Sequence, residues 1–434
     1  MRFLFVHQNF PGQYLHLVRD LVAKSDNQVL FITENNPNEI PGVRKIIYRM
    51  PRKASPATHH DAREFEQAAI RAEAVARTAT GLKRLGFTPD IIIGHHGWGE
   101  LLNLRDVWPD PPMLGYFEFF YHLHGLDVDF DPEFPTNPAL YPSIRAKNIV
   151  NLLALSLDNV GQTPTRFQLQ TYPQWAQSRI LLLPEGVSLG VCRPQPAVRN
   201  EVFRLKDLLV RPEERLLTYV ARDLEPYRGF HVFMRALPRV LQARSDVHVA
   251  MVGGDGVSYG ARLAQGTWRE RMLEELKGRL DLSRVHFLGK LDYSSYVHLL
   301  QRSDTHVYLT YPFVASWSLR ESLAMGCAVI GSDTAPVREF INHGKNGLLV
   351  PFHDVARLSE TILQVLEDKD LNAGLRARAR RYAETHLSLD ISLAAMKATI
   401  ARLVETRNAP AQAHGAEQTA AESRALPKQA ALGS

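Results

Sequence analysis

One stretch limits what this chain can become. Residues 305–351, THVYLTYPFVASWSLRESLAMGCAVIGSDTAPVREFINHGKNGLLVP, alternate short apolar runs with helix-like segments. His306 to Thr310 is rich in β-branched and aromatic residues and reads as a buried strand that Pro312 ends. Ser316 and Ser318, both suited to cap a helix, precede SLRESLAMG, which is apolar at Leu319, Leu323 and Met325 and is closed by Gly326. CAVIGS reads as a second strand, TAPVREFIN as a short helix, and NGLLVPF as a third strand after an Asn-Gly turn. Strands that alternate with helices in this way build a parallel sheet covered on both faces. A helix that starts just past a parallel strand presents unpaired N–H groups and the positive end of its dipole, so the expected ligand is an anion.

A chain of 434 residues exceeds what one core serves, which makes two domains the expectation. The 45% hydrophobic and 22% charged content is that of a soluble globular protein and excludes fibrous classes. The formal charge of +5 fits an anionic substrate, nucleic acid or an acidic membrane surface, and solvated arginine accounts for it equally well. Cys192 and Cys327 stand far apart without metal-type spacing, which argues against a disulfide framework or a zinc site and fits a reducing, cytoplasmic compartment. The opening MRFLFV is too short for a secretory signal or a membrane span and reads as the first strand.

HQNFPGQY then turns into a helix over about 14–24. Gly12 in that turn serves either a plain strand-to-helix connection or close backbone approach to a diphosphate. QVLFIT and VRKIIY are further strands, and a helix spans about 61–85. DIIIGHHGWGE is a buried strand with His95 and His96 at its carboxyl end, the ligand side of a doubly wound sheet. After PMLGYFEFFYH, Asp127, Asp129 and Asp131 alternate as in a metal-binding DxD, but a solvated turn is the commoner use of such a loop. The first domain is expected over 1–190 and a proline-bearing linker over 191–212. A second domain over 213–386 opens with a strand, a basic loop holding Arg222 and Arg228, and a helix. VHFLGKL places Lys290 and Leu291 at a strand end. RARARR reads as a solvated helical face or as a patch for acidic lipid, a helix follows over 387–407, and 408–434 is expected to be disordered.

The helix carrying Glu321, followed by Ala324-Met325-Gly326, Val329-Ile330-Gly331-Ser332, Pro336, Glu339 and Asn346-Gly347-Leu348-Leu349-Val350, resembles the donor-binding signature of glycosyltransferase family 4. The blocks MRFLFVHQNFPGQY and FEFFYH…FDPEFP resemble a bacterial subgroup of it, and Pro184-Glu185-Gly186-Val187 is similar to its Asn-Gly-Val turn at the domain junction. The resemblance implies the GT-B fold, an α/β architecture of two Rossmann-like doubly wound parallel-sheet domains facing a cleft, with the C-terminal helix over 387–407 crossing back to the first domain. It implies retaining transfer of a sugar from a nucleoside-diphosphate sugar to an acceptor, with no metal or separate cofactor. Carried over residue by residue, it puts Glu321 on the ribose and Arg222 and Arg228 on the diphosphate. The second is an arginine in place of lysine that keeps the charge and can bond phosphate oxygens in pairs. Gly12 faces the donor; Ser316, Ser318 and Leu319 form the anion-binding helix end; Lys290 and Leu291 hold the base. Glu118 stands just beyond a strand where many relatives have histidine, with His95 beside it as a second candidate for the chemistry. Phe313 replaces a glutamate that touches the donor sugar. The implied partners are donor and acceptor, not nucleic acid, with an acidic inner-membrane surface as a further contact. A GT-B epimerase or phosphorylase and a non-catalytic nucleotide-sugar-binding subunit remain as alternatives.

Overall fold

The computed structural model describes residues 1–157 and 159–408, so the expected disordered tail lies outside the described residues. Seven parallel strands form the first sheet: β1 (Arg2–Val6), β2 (Gln28–Thr33), β3 (Val43–Ile47), β4 (Ile91–His95), β5 (Met113–Tyr116), β6 (Val160–Thr163) and β7 (Ile180–Leu182). Their order is β3-β2-β1-β4-β5-β6-β7, so the winding reverses between β1 and β4, and a crevice opens there at the carboxyl ends. β1 shows why the sequence folds this way. Phe3, Leu4, Phe5 and Val6 are all buried, because a strand covered on both faces has no solvent side to keep polar. Leu4 and Val6 pack with Val75 and Leu82 of the helix Arg63–Arg84, while Phe3 and Phe5 point to the other core with Leu17, Val18 and Leu21 of the helix Leu15–Val22.

Residues 203–210, expected within the linker, instead form an antiparallel hairpin of β8 (Phe203–Leu205) and β9 (Leu208–Val210). Phe203, Leu208 and Val210 pack on Leu216, Ala250, Val252 and Leu288 of the second domain, and this apolar burial outweighs the proline-rich composition just upstream. The second sheet has the order β12-β11-β10-β13-β14-β15, all parallel. Its strands are β10 (Arg215–Asp223), β11 (Val247–Gly254), β12 (Val285–Gly289), β13 (Thr305–Tyr308), β14 (Val329–Ser332) and β15 (Leu348–Val350). Its reversal falls between β10 and β13, which sends the loops after those two strands into the cleft. Two doubly wound domains are the architecture that the resemblance implied.

The chain passes between the domains twice at one place. Val187 N–H donates to the Leu387 carbonyl at 2.8 Å and Leu389 N–H to the Val187 carbonyl at 3.0 Å. The helix Leu389–Asn408 then lays Leu393, Met396, Ile400, Leu403 and Val404 on the first-domain core, with Lys397 2.9 Å from Asp20.

The arginine run is tied to the fold more than a solvated face requires, with Arg378 and Arg381 still exposed. In the helix Lys369–His386, Arg376 donates to the Ser303 carbonyl (2.8 Å), Arg378 to Lys345 (2.6 Å) and Arg380 to Cys192 and Ala324 (2.7 and 2.8 Å). The buried neighbours Leu375, Ala379 and Ala383 hold the helix against the core, and the flanking guanidinium groups reach carbonyls left unpaired at nearby chain ends. No helix among the described residues is long and apolar enough to cross a membrane.

Candidate active site

Beyond β10, Pro226–Arg228 makes a single turn and Gly229, at φ 70°, starts the helix Phe230–Ala243. A Cβ on Gly229 would stand 2.4 Å from that of Leu309, so only glycine lets the turn pack against the loop after β13. This sets Arg228, buried, with its Nη1 donating to Thr310 Oγ1 at 2.8 Å and to the Val314 carbonyl at 3.0 Å, and its guanidinium 4.8 Å from the Tyr259 ring centre. Arg222, at the end of β10, is exposed.

From the first domain, His95 ends β4. Its Nδ1 accepts the Gly97 N–H at 2.9 Å, so in the neutral ring the proton sits on Nε2, which faces Glu118 at 3.6 Å. Burial alone would raise the Glu118 carboxyl, but the hydrogen bond from His95 and the positive charge around the group outweigh it and hold it below the usual carboxylate range. His7, which directly follows β1, escaped the sequence reading, although the strand-end rule that flagged His95 applies to it equally. Its Nδ1 accepts the Asn9 N–H at 2.9 Å, its ring meets His95 edge-on at 5.5 Å, and burial together with His95 pushes it down to about 3, so it is neutral at pH 7. Gly12, at φ 56°, lies over that ring, where a Cβ would sit 3.1 Å from it; the glycine turn is thus fitted to His7. His96 instead turns into the core against Phe117.

Ser316 caps the helix Trp317–Ala324 in position but not by its side chain; its Oγ pairs with Ser318 Oγ at 2.5 Å and its N–H donates to Tyr308 OH at 2.7 Å. Leu319 offers nothing to a ligand, because its side chain is in the core and its N–H bonds the Ser316 carbonyl at 3.2 Å. Glu321 is nearly buried, with Oε1 accepting from Tyr293 OH (2.8 Å) and Oε2 from Tyr296 OH (2.7 Å). Both tyrosines lie on the preceding helix, Tyr293–Arg302, and nothing in the sequence flagged them. Lys290, just past β12, is exposed with Nζ 3.6 Å from Asp223, and Leu291 follows it half-buried.

Phe313 does not line open space. Only 6% exposed, its ring lies 4.7 Å from Phe119, 5.2 Å from Tyr259 and 5.3 Å from Tyr227, and it shares an apolar cluster with Phe167. Phe119 and Phe167 belong to the first domain, so a ring stands between the domains where a carboxylate would have been costly to bury. Glu185, at the domain junction, is a further group missed by the sequence reading. It accepts from Trp317 Nε1 (2.7 Å) and Tyr116 OH (3.2 Å) and lies 3.5 Å from Arg320. Glu339 of the family-like signature reaches the other domain too, accepting the N–H groups of Arg166 and Phe167 at 2.8 and 3.0 Å.

Two doubly wound sheets with crevices at their strand carboxyl ends form a two-domain plan for binding a ligand, and comparison with known proteins gives its class. A model of the glycosyl transferase family 4 group matches residues 25–191 and one of glycosyl transferases group 1 matches residues 203–385. The chain belongs to glycosyltransferase family 4. It is 31% identical over 172 residues to phosphatidyl-myo-inositol mannosyltransferase of Mycolicibacterium smegmatis, a match covering 38% of this chain and 40% of that protein. It is 26% identical over 210 residues to D-inositol 3-phosphate glycosyltransferase of Thermobispora bispora, 47% of this chain and 46% of that one. The matches thus span less than half the length of these relatives. Among solved structures, sucrose-phosphate synthase from Thermosynechococcus elongatus superposes with a TM-score of 0.72 at 16% identity, covering 94% of this chain and all of that one. Anabaena HepE in complex with UDP-glucose superposes at 0.65 and 16%, covering 93% of this chain and all of that one. The fold is GT-B.

Proposed function

We propose that the protein is a retaining glycosyltransferase that moves a sugar from a nucleoside-diphosphate sugar to an acceptor. The observation that carries this reading is geometric: the His95–Glu118 pair stands at the carboxyl edge of the first sheet, and the loop that fixes Arg228 stands at the carboxyl edge of the second. As the bond between sugar and diphosphate breaks, negative charge grows on the leaving phosphate. Arg222 and Arg228 are the cations suited to meet it, together with the helix end at Ser316 and Ser318, because fixed donors need no reorganisation as the charge develops. Glu321 would take the ribose hydroxyls, since its tyrosine partners occupy only part of the acceptor capacity of each carboxylate oxygen. The acceptor is assigned to the carboxyl edge of the first sheet. There Trp98, 42% exposed, stacks on His95 with ring centres 5.9 Å apart.

A second reading, a subunit that binds the nucleotide sugar without turning it over, is favoured by the buried Phe313 ring standing where the family has a sugar-binding glutamate. One experiment separates them. Nucleotides retained on the purified protein are identified by mass spectrometry, and the matching nucleotide sugar is incubated with and without cell-derived glycan and lipid acceptors. Acceptor-dependent release of nucleoside diphosphate supports transfer; retention of the nucleotide sugar without release under all acceptors supports the subunit.

A further inference from the structure

The acidic loop after β5 is neither a solvated turn nor a metal-binding DxD. Its three alternating carboxylates point to three different partners. Asp129 closes the loop on itself through the Thr136 N–H (2.7 Å) and Tyr141 OH (2.6 Å). Asp127 accepts from Tyr227 OH. Asp131, 2% exposed, accepts from Tyr311 OH at 2.8 Å and lies 3.0 Å from His231 Nε2. Tyr227, His231 and Tyr311 all belong to the second domain. Phe130 packs on Tyr311 and Phe352, Phe134 on His231 and Trp268, and Glu133 forms a two-bond pair with Arg235 at 2.6 and 2.8 Å.

The tyrosines at the far end of these bonds bracket the donor side. Tyr227 immediately precedes Arg228, and its carbonyl accepts the Tyr311 N–H at 3.0 Å, with the two rings 4.7 Å apart. Arg228 in turn bonds Thr310 and Val314, the residues on either side of Tyr311 and Phe313. We propose that residues 127–134 are a clamp from the first domain that positions Arg228 and the loop 310–316 of the second, with Asp127 and Asp131 as positioning residues. A buried carboxylate is retained only if its partners hold it, so Asp131 fixes Tyr311 and His231 as firmly as they fix it. The clamp rests on the proposed donor site for its consequence, but its mechanical half can be read without any ligand.

The test uses the full chain with UDP as the probe, at a temperature where circular dichroism shows every variant folded. Asp131→Asn keeps the shape and removes the charge on which His231 and Tyr311 converge. Asp127→Asn and Tyr227→Phe disrupt the same charge-assisted bond from its two ends, the second by deleting the donor. Amide exchange over 310–316 without nucleotide is expected to quicken about tenfold in Asp131→Asn, and the UDP dissociation constant to rise about fivefold or more. The double variant Asp127→Asn/Tyr227→Phe should be no worse than the worse single one, because both remove the same bond. A lower melting temperature with unchanged exchange and unchanged UDP affinity would overturn the clamp, as would additive effects in the double variant. Saturable slowing of exchange in residues 127–134 by Mn²⁺ would also overturn it, in favour of a metal loop. If the wild type binds none of UDP, GDP or ADP, the donor reading fails while the exchange measurement still decides the clamp.

Discussion

Among single residues, Arg228 carries the heaviest load, because it is both the inner cation of the proposed site and the fastening of the loop beside it. Arg228→Ala is expected to lower kcat/KM for the donor by an amount equivalent to about 2–4 kcal/mol, the range for losing one fixed donor to a developing charge. Steady-state kinetics with a nucleotide sugar checks it, and Arg228→Lys shows how much is charge and how much the two-point grip on Thr310 and Val314. Glu100 makes a different kind of prediction. It is fully buried, Oε1 accepts the Gln8 N–H at 3.1 Å, Oε2 has no partner among the described residues, and burial pushes the carboxyl up to about 7 despite Arg71 4.0 Å away. Since its folded value lies above the unfolded one near 4.5, Glu100's own contribution to stability is fully present below about pH 4.5, is lost as pH rises to about 7, and changes no further beyond. Glu100→Gln should remove that slope and raise stability at pH 8 relative to the wild type by about 3 kcal/mol. Urea unfolding of both chains at pH 5 and pH 8 measures it. Residues placed by strand-end logic were legible in the sequence, as His95 shows. Tyr293, Tyr296 and Glu185 were not, because their positions follow from packing between segments far apart in sequence.

Short elements show where local reading stops. The strand-loop-helix pattern of residues 305–351 was legible because its signals are local: apolar runs, a glycine closure and an Asn-Gly turn. The same loop hides Phe313, whose surroundings come from four distant segments. Phe313→Glu places a carboxylate among Phe119, Phe167, Tyr227 and Tyr259, with expected destabilisation of about 3 kcal/mol or more. Denaturant unfolding reads that loss. Competition binding with UDP and its sugar derivatives reads whether the sugar ranking changes while nucleotide affinity, assigned to Glu321 and the arginines, stays put. The hairpin β8–β9 and the arginines of the helix Lys369–His386 make the same point in reverse. Composition suggested linker and solvent, whereas the partners that decide their fate, Leu216, Ala250 and the carbonyls of Ser303 and Cys192, lie elsewhere in the chain.

At the scale of the whole molecule, the final helix belongs to the second domain by sequence and to the first by packing. Truncation before Leu389 should uncover the face of the first core that Leu393, Met396, Ile400, Leu403 and Val404 now cover, and lower that domain's stability by about 5 kcal/mol. Calorimetry should show the lower-melting transition moving down while the other holds. The paired crossing at Val187 and Leu387–Leu389 has one more consequence. Two strands of chain bound side by side resist being pulled apart but yield to rotation, so the molecule is built like a book. The spine is that crossing, stiffened because a Cβ on Gly186 would stand 2.6 Å from the Leu389 backbone. The pages are the two sheets, and the clasp is the acidic loop closing on Tyr227 and Tyr311. Any swing of the pages about that spine must first part Asp127 from Tyr227 and Asp131 from Tyr311, so the clasp has to be released before the spine can turn.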